Sequence, residues 1–423
     1  MSISNMKVLS SDVAILKKLA NKVSEIAHSK RNQECIRLWH KHDLCQGERP
    51  LLLAESNGGL KMVIKDFKCR TQEAWAQKQE EYLLKIISHF ELIGDDNPVE
   101  PYVNVHWHLN LGNYGIDSNL VMPDTDGTRG AYHIDAVLTD LERDIHKLRH
   151  RQFQVDREGT LSEIAVLEDI YDGILKVRLR GHPLWTFGIT QPAIKLIGLE
   201  QLMLYMYDQP EALHQLMAFL RDDHFALIDW MEREGLLTLN NENDYIGSGS
   251  RGYTYQLPQK DGKQDSKVLS TDTWALLESQ ETVGVGPDMY EQFIFPYENA
   301  LAEKFGGIYY GCCEPLHGRW NIVKNMVNLK RISISPWCDE EYMAAELSNK
   351  MVYSRKPKPT MISTEKFDED AIYSDFLHTM QVAKKNGCTL EIVMKDVHTL
   401  NGEHDRMTRW INIGRKAIAE VYG

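Results

Sequence analysis

Tyr310-Gly311-Cys312-Cys313-Glu314 gathers a phenol, two adjacent thiols and a carboxylate within five residues, with His317 three positions further on. A thiolate is a strong ligand for Zn²⁺, and three protein ligands plus one open position make a catalytic rather than a structural zinc site. The apolar run Gly307-Ile308-Tyr309 reads as a strand, so the thiols stand where that strand gives way to a loop. If the strand is still extended at Cys313, neighbouring side chains face opposite ways, which gives the two thiols different jobs and leaves Cys312 as the ligand. Cys338 and His398 follow later apolar runs, and converging strand ends would bring Cys312, Cys338 and His398 to one point. Against this stands the plain reading of a cysteine as a small buried hydrophobe. No Cys-x-x-Cys pair occurs, which speaks against a closed zinc ribbon.

Other reactive or polar groups also follow apolar runs: Asn241, Asn243 and Asp244; Glu278, Gln280 and Glu281; Ser354, Arg355 and Lys356; Lys395 and Asp396. Carboxylates such as Glu278 and Glu281 serve as general acids or bases, as metal ligands, or simply as anions at a helix entry. Arg355 and Lys356 suit a carboxylate or phosphate on a ligand, or a buried acidic partner. Asn243, Glu278, Gln280, Arg355 and Lys356 are therefore the candidate substrate-binding residues. Lys395 and Asp396, in the simplest reading, pair with each other.

The elements that must position these groups follow from periodicity. Residues 1–49 read as a helical extension, with Val13, Leu16, Leu19, Val23 and Ile26 on one helix face. Residues 50–423 read as the main domain. It starts with a buried strand near 49–55, a helix over 71–90, a strand over 102–108, an irregular loop over 110–130, and a charged helix over 135–150. His106 and His108 would share a strand face, with nothing nearby to complete a metal site. A strand-like segment over 185–189 and two helices, starting at Pro192 and Pro210, come next. Strands are then expected near 236–240, 273–277, 307–311, 330–335, 351–354 and 389–394, alternating with helices near 288–305, 318–328, 339–348, 368–385 and 403–421. Such alternation implies βα units and a parallel sheet. Chemistry at six successive strand ends fits an α/β fold of the (β/α)₈ TIM-barrel type with an N-terminal helical extension, better than an open doubly wound sheet with one crevice.

A net charge of −13 over 423 residues argues against nucleic acid or an anionic membrane as partner, since both are held through clustered Lys and Arg. No run approaches the roughly 18 apolar residues of a membrane span, and the first residues are polar and mixed in charge, so a cytoplasmic protein is expected. Seven cysteines, an odd number, are expected to be reduced thiols.

Several segments carry a family likeness. Met206-Tyr207-Asp208-Gln209-Pro210-Glu211 precedes a long helix. Val285-Gly286-Pro287-Asp288-Met289-Tyr290-Glu291-Gln292-Phe293-Ile294-Phe295-Pro296-Tyr297 follows a Ser-Pro-x-x-Phe-x-x-Phe-x-x-Pro-Tyr pattern. Tyr310-Gly311-Cys312-Cys313 resembles a His-x-Cys-Gly strand end, and Met394-Lys395-Asp396-Val397-His398 a last strand. With these, residues from about 175 to 421 resemble the uroporphyrinogen decarboxylase superfamily, closer to its zinc- and corrinoid-dependent methyltransferases than to its porphyrinogen decarboxylases. The decarboxylases hold substrate carboxylates with the arginines of Met-Arg-Gln-Ala-Gly-Arg. Here Ala54-Glu55-Ser56-Asn57-Gly58-Gly59 has neither arginine, so porphyrinogen decarboxylation is not expected.

In the methyltransferase branch the zinc ligands are the His and Cys of His-x-Cys and a last-strand Cys. The resemblance keeps Cys312, puts Tyr310 in place of the His and His398 in place of the last Cys, and leaves Cys338, Glu314 or Glu281 as a further ligand. Fewer thiolates make a more Lewis-acidic zinc. What the resemblance implies is methyl transfer between a small methylated substrate and the corrinoid of a separate corrinoid-binding protein, with Glu281, Tyr310 and Glu314 as catalytic candidates. Barrels of this family are often dimers, so a homodimer is the corresponding expectation. Two other readings stay open: a metal-free decarboxylase or lyase with Arg355 and Lys356 clamping a small carboxylic acid, and a corrinoid- or tetrapyrrole-binding protein without chemistry of its own.

Overall fold

The computed structural model describes residues 7–116, 119–121, 133–181, 184–258 and 267–423. It is a mixed α/β protein with eight parallel strands, numbered here in chain order. They are β1 (Leu51–Ser56), β2 (Tyr102–His106), β3 (Lys176–Arg180), β4 (Trp274–Leu277), β5 (Gly307–Tyr310), β6 (Leu329–Ile334), β7 (Val352–Arg355) and β8 (Thr389–Val397). Six of them form one curled sheet in the order β1-β8-β7-β6-β5-β4, a half-barrel, while β2 and β3 pair only with each other. Among the described residues the ladder does not close into a full barrel.

Side chains occupy the two breaks. At the free edge of β1, Asp96 accepts from the Leu52 amide at 2.8 Å and its own amide donates to the Leu52 carbonyl, while Asp95 accepts from the Ala54 amide. At the free edge of β4 a strand was expected over 236–240. That segment is not a strand; instead the Asn240 side-chain amide brackets Trp274, accepting from its N–H at 2.8 Å and donating to its carbonyl at 3.0 Å. A carboxamide carries one donor and one acceptor in a plane, so it substitutes for a peptide unit of the ladder. The strand-like segment over 185–189 also lies along this edge, with the Phe187 amide donating to the Leu276 carbonyl.

Helices on the outside include Pro210–Glu234, Glu369–Lys385 and Arg406–Tyr422, close to their expected bounds. Asp339 and Asp368 start two helices by accepting from the Tyr342 and Ala371 amides. The helix expected over 288–305 is split into Pro287–Phe293 and Phe295–Ala302, because Pro296 has no N–H to continue the ladder. Over 318–328 only Trp320–Val323 is α-helical, after a tight turn at Leu316–Arg319. The charged segment 135–150 forms just Leu141–Asp144 and a following 3-10 turn, and much of the expected loop over 110–130 lies outside the described residues. No helix among the described residues is long and apolar enough to cross a membrane.

The N-terminal helices Ser10–Ala27 and Lys30–Asp43 pack against the rest of the protein. Leu16, Ala20, Val23 and Ile26 bury against Leu83, Val103, Val105 and Leu167 in a core beside β2 and β3. The end of Lys30–Asp43 reaches the main sheet: His42 Nε2 lies 3.1 Å from Glu391 of β8, and Asp43 accepts from Arg331 of β6 at 2.8 Å.

Candidate functional site

The carboxyl ends of β5 to β8 open onto a pocket of about 280 Å³ lined by Cys312, Cys313, Pro336, Trp337, Lys356, Pro357, Lys358, Pro359, Thr360, Lys395 and Asp396. It brings together two thiols, three amines and one carboxylate.

Gly311 decides how the thiols stand. β5 ends at Tyr310, and Gly311 takes φ +95°, a left-handed value open to glycine and strained for other residues. The alternation of an extended strand is thereby lost, and Cys313, expected to face away, turns into the same pocket as Cys312, with the sulfurs 3.7 Å apart. Cys312 is buried and Cys313 exposed. Ser248 Oγ donates to Cys312 Sγ at 3.6 Å and Lys395 Nζ approaches it at 3.8 Å. The contact between the two sulfurs, reinforced by burial, raises the Cys312 thiol, and the same contact lowers that of Cys313 against the effect of burial. Burial opposes the charge of Lys395, while Tyr245, Cys312, Asp396 and Glu55 pull the other way and leave its pKa raised.

Lys356 forms the inner wall. Its Nζ donates to Tyr309 OH at 2.7 Å and Ser354 Oγ at 2.6 Å, both uncharged, and burial with the nearby Lys395 charge lowers its pKa to about 7, against the pull of Glu391. Behind it the polar groups continue: Tyr309 donates to Ser354, Ser354 to Glu391, and Ser250 bridges Glu391 and Arg331. Burial alone would raise Glu391, but the His42 hydrogen bond and the Arg331 and Lys356 charges pull it down to about 2.

The remaining sequence candidates are distributed elsewhere. Tyr310, expected at the metal, points away from the pocket: its hydroxyl donates to Glu298 at 2.9 Å and meets Tyr290 OH at 2.7 Å and Ser279 Oγ at 3.1 Å, all buried. Tyr309, not Tyr310, faces the pocket side. Glu314 spends both oxygens on backbone, accepting from the Ser279 and Cys312 amides at 2.9 and 2.8 Å, so it ties the ends of β4 and β5 together. Glu281 accepts from Thr190 at 2.7 Å, and Glu278, fully buried, accepts from the Gln280 amide. Arg355 is engaged by Glu340 and Asp375 on the helical side, which separates it from Lys356. Asn243 donates to the Pro98 carbonyl and borders a different cavity, with His106, Arg180 and Asp244. His106 Nδ1 lies 2.6 Å from the Gly181 carbonyl and His108 pairs with Glu163, each with its own partner.

Of the three expected zinc ligands only Cys312 lies in the pocket. Cys338 Sγ contacts Ser335 Oγ at 3.7 Å and the Glu314 carbonyl at 3.9 Å, and His398 is exposed beyond the end of β8. Among the described residues no three His, Cys, Asp or Glu side chains stand together as a metal site, so this arrangement does not fit a three-ligand zinc. Sequence reasoning missed the Glu391, Arg331 and His42 network. Its signal was present, since an acid and an arginine sit inside the apolar runs of β8 and β6.

The Tyr310 cluster has a pH signature. Glu298 is buried, with one oxygen unpartnered, and burial raises its carboxyl well above the usual range. Its contribution is therefore fully present below the unfolded value near 4.5 and is lost as pH rises toward the folded value. Glu298→Gln is expected to remove that decline. Urea unfolding at pH 5 and pH 8 should show the variant gaining on the wild type at the higher pH, and an unchanged difference would refute the assignment.

No known protein-family profile and no curated protein matches the chain. Among solved structures it is similar to a methyltransferase from Methanosarcina mazei, with a TM-score of 0.47 and 9% sequence identity, covering 88% of this chain and 96% of that one.

Proposed function

We propose that this chain is a methyltransferase that takes a small, anionic methylated substrate into the pocket at the ends of β5 to β8. The observation that carries the reading is the placement of Cys312, Cys313 and Lys395 at strand ends whose sequences resemble the methyltransferase branch, inside a pocket with two further lysines. Lys356 and Lys358 supply charge for an anionic group on the substrate, and Pro336, Trp337, Pro357 and Pro359 supply apolar wall. When the bond from the methyl group to its heteroatom breaks, the methyl leaves for an acceptor outside the chain and the heteroatom takes a proton from the Lys395 ammonium. Cys313 and Trp337, the latter 63% exposed, border the open side through which a partner's acceptor would approach.

A corrinoid-binding protein as acceptor is a separate part of this proposal. Cys338 and His398 stand apart from Cys312, so zinc has no part in the reaction proposed. The lyase reading is less supported, since its clamp loses Arg355 to Glu340 and Asp375.

The test is methylation of cob(I)alamin by a panel of methylated carboxylates, sulfonates and phosphonates, on anaerobically purified protein with its metal content measured. Turnover with at least one donor is expected, falling about 100-fold or more in Lys395→Met if that ammonium is the general acid. No turnover across the panel, with corrinoid retained, would replace this reading by the binding-protein one.

A further inference from the structure

Two adjacent cysteines seldom work as a pair when their strand is extended, and here the turn at Gly311 makes them one. Their sulfurs stand 3.7 Å apart at the wall of a pocket. Two thiolates bound to a single centre at about 2.3 Å would stand roughly 3.3–3.8 Å apart, the lower end for a pyramidal centre and the upper for a tetrahedral one, so the pair needs only a small movement to chelate one atom. The other neighbours of Cys312 Sγ are Ser248 Oγ at 3.6 Å and the Lys395 amine at 3.8 Å, both of which donate to sulfur. A third thiolate, imidazole or carboxylate is not grouped with them among the described residues.

We propose that Cys312 and Cys313 form a two-sulfur site for a soft, thiophilic Lewis acid that keeps a substituent of its own, the class represented by monosubstituted trivalent arsenicals. A hard cation would find two soft sulfurs with no carboxylate grouped beside them as a ligand set among the described residues, and a protein-caged zinc would lack its third donor. An arsenical R–As=O supplies the missing substituent itself, and R lies against Pro336, Trp337, Pro357 and Pro359. In the reaction two S–H bonds break, two As–S bonds form, and the oxygen departs with both protons as water. Nothing is oxidised or reduced. Lys395 and Ser248 stand where they stabilise the thiolates on the way. This site does not depend on the methyl-transfer reading.

Of the other cysteines, Cys35 contacts the Asp96 carbonyl, Cys69 the Gln77 carbonyl, Cys388 the Ala344 carbonyl, and Cys338 Ser335 and Glu314, none of these contacts being to a second sulfur. Titration of the full chain with phenylarsine oxide, in the presence of a chelator, should therefore give one adduct by intact mass, reversed by excess dithiothreitol. Cys312→Ser and Cys313→Ser should each weaken binding by about 100-fold or more, the advantage of a second attachment on the same ligand. Cys338→Ser and His398→Ala should leave it unchanged, which distinguishes this site from a zinc site built on those residues. Circular dichroism and labelling of the surviving thiol by iodoacetamide establish that each variant is folded and its sulfur reachable. Absence of a wild-type adduct, full binding in either pocket variant, or equal loss in Cys338→Ser would overturn the proposal.

Discussion

Arg331→Met is expected to lower the unfolding free energy by about 3–5 kcal/mol, read from the urea midpoint at constant slope. Arg331 is fully buried in β6, donates to Asp43 Oδ1 and Ser250 Oγ at 2.8 Å each and to the Arg251 carbonyl at 2.6 Å, and lies over the Trp274 ring. Methionine fills much of the space but donates nothing. Asp43 would then be a buried charge without its partner, and the Arg251 carbonyl would lose its donor. The cost comes chiefly from those stranded groups rather than from the intrinsic strength of the ion pair. Accordingly Asp43→Asn in the same chain should recover part of the loss, a coupling visible in a double-mutant cycle. A loss below about 1 kcal/mol for Arg331→Met would show that the N-terminal helix is not anchored by this contact.

The second large effect is a pH dependence assigned to one amine. Lys356 has a folded pKa of about 7 against an ordinary value of 10.5. Between those values the unfolded chain binds the proton and the folded chain does not, so stability rises with pH through that window, and at or below pH 7 the full penalty for burying the charge is present. With about 1.4 kcal/mol per pKa unit, the penalty amounts to a few kcal/mol. Lys356→Met is therefore expected to be at least as stable as the wild type at pH 6, with the difference shifting toward the wild type as pH approaches 10. Only the difference between the two profiles isolates this amine, because buried acids such as Glu298 slope the other way. A flat difference between pH 6 and 10 would mean that Lys356 keeps its ordinary pKa. The same titration bears on the pocket: its attraction for anions should be strongest below pH 7, where Lys356 carries its charge.

Much of the architecture was legible because βα alternation is a pattern of short range. β4 to β8 fall close to their expected positions, and Asp339 and Asp368 announce helix starts through groups three residues away. What failed did so for physical reasons. The segment 236–240 is apolar enough for a strand, yet the sheet edge is completed by one Asn240 side chain, which no periodicity records. Cys313 was assigned to the opposite face because alternation presumes an extended backbone, and the φ of Gly311 breaks that presumption. Tyr310 and Glu314, catalytic candidates through the family likeness, stand one in a buried cluster and the other on two backbone amides. The network joining His42 to Glu391 spans 349 positions, a separation at which local pattern carries no information.

The neighbour of β1 is β8, with Leu51 opposite Glu391. During synthesis, then, the apolar segment Leu51-Leu52-Leu53-Ala54 emerges long before the strand that completes its ladder exists. Loop closure over that span is slow, and until it happens an unpaired hydrophobic edge is open to wrong partners. The acidic pairings at its other edge, Asp95 and Asp96, arrive within about forty residues and give the young strand its first protection. Variants that weaken Asp96 should accordingly be recovered in lower soluble yield than their equilibrium stability alone would account for.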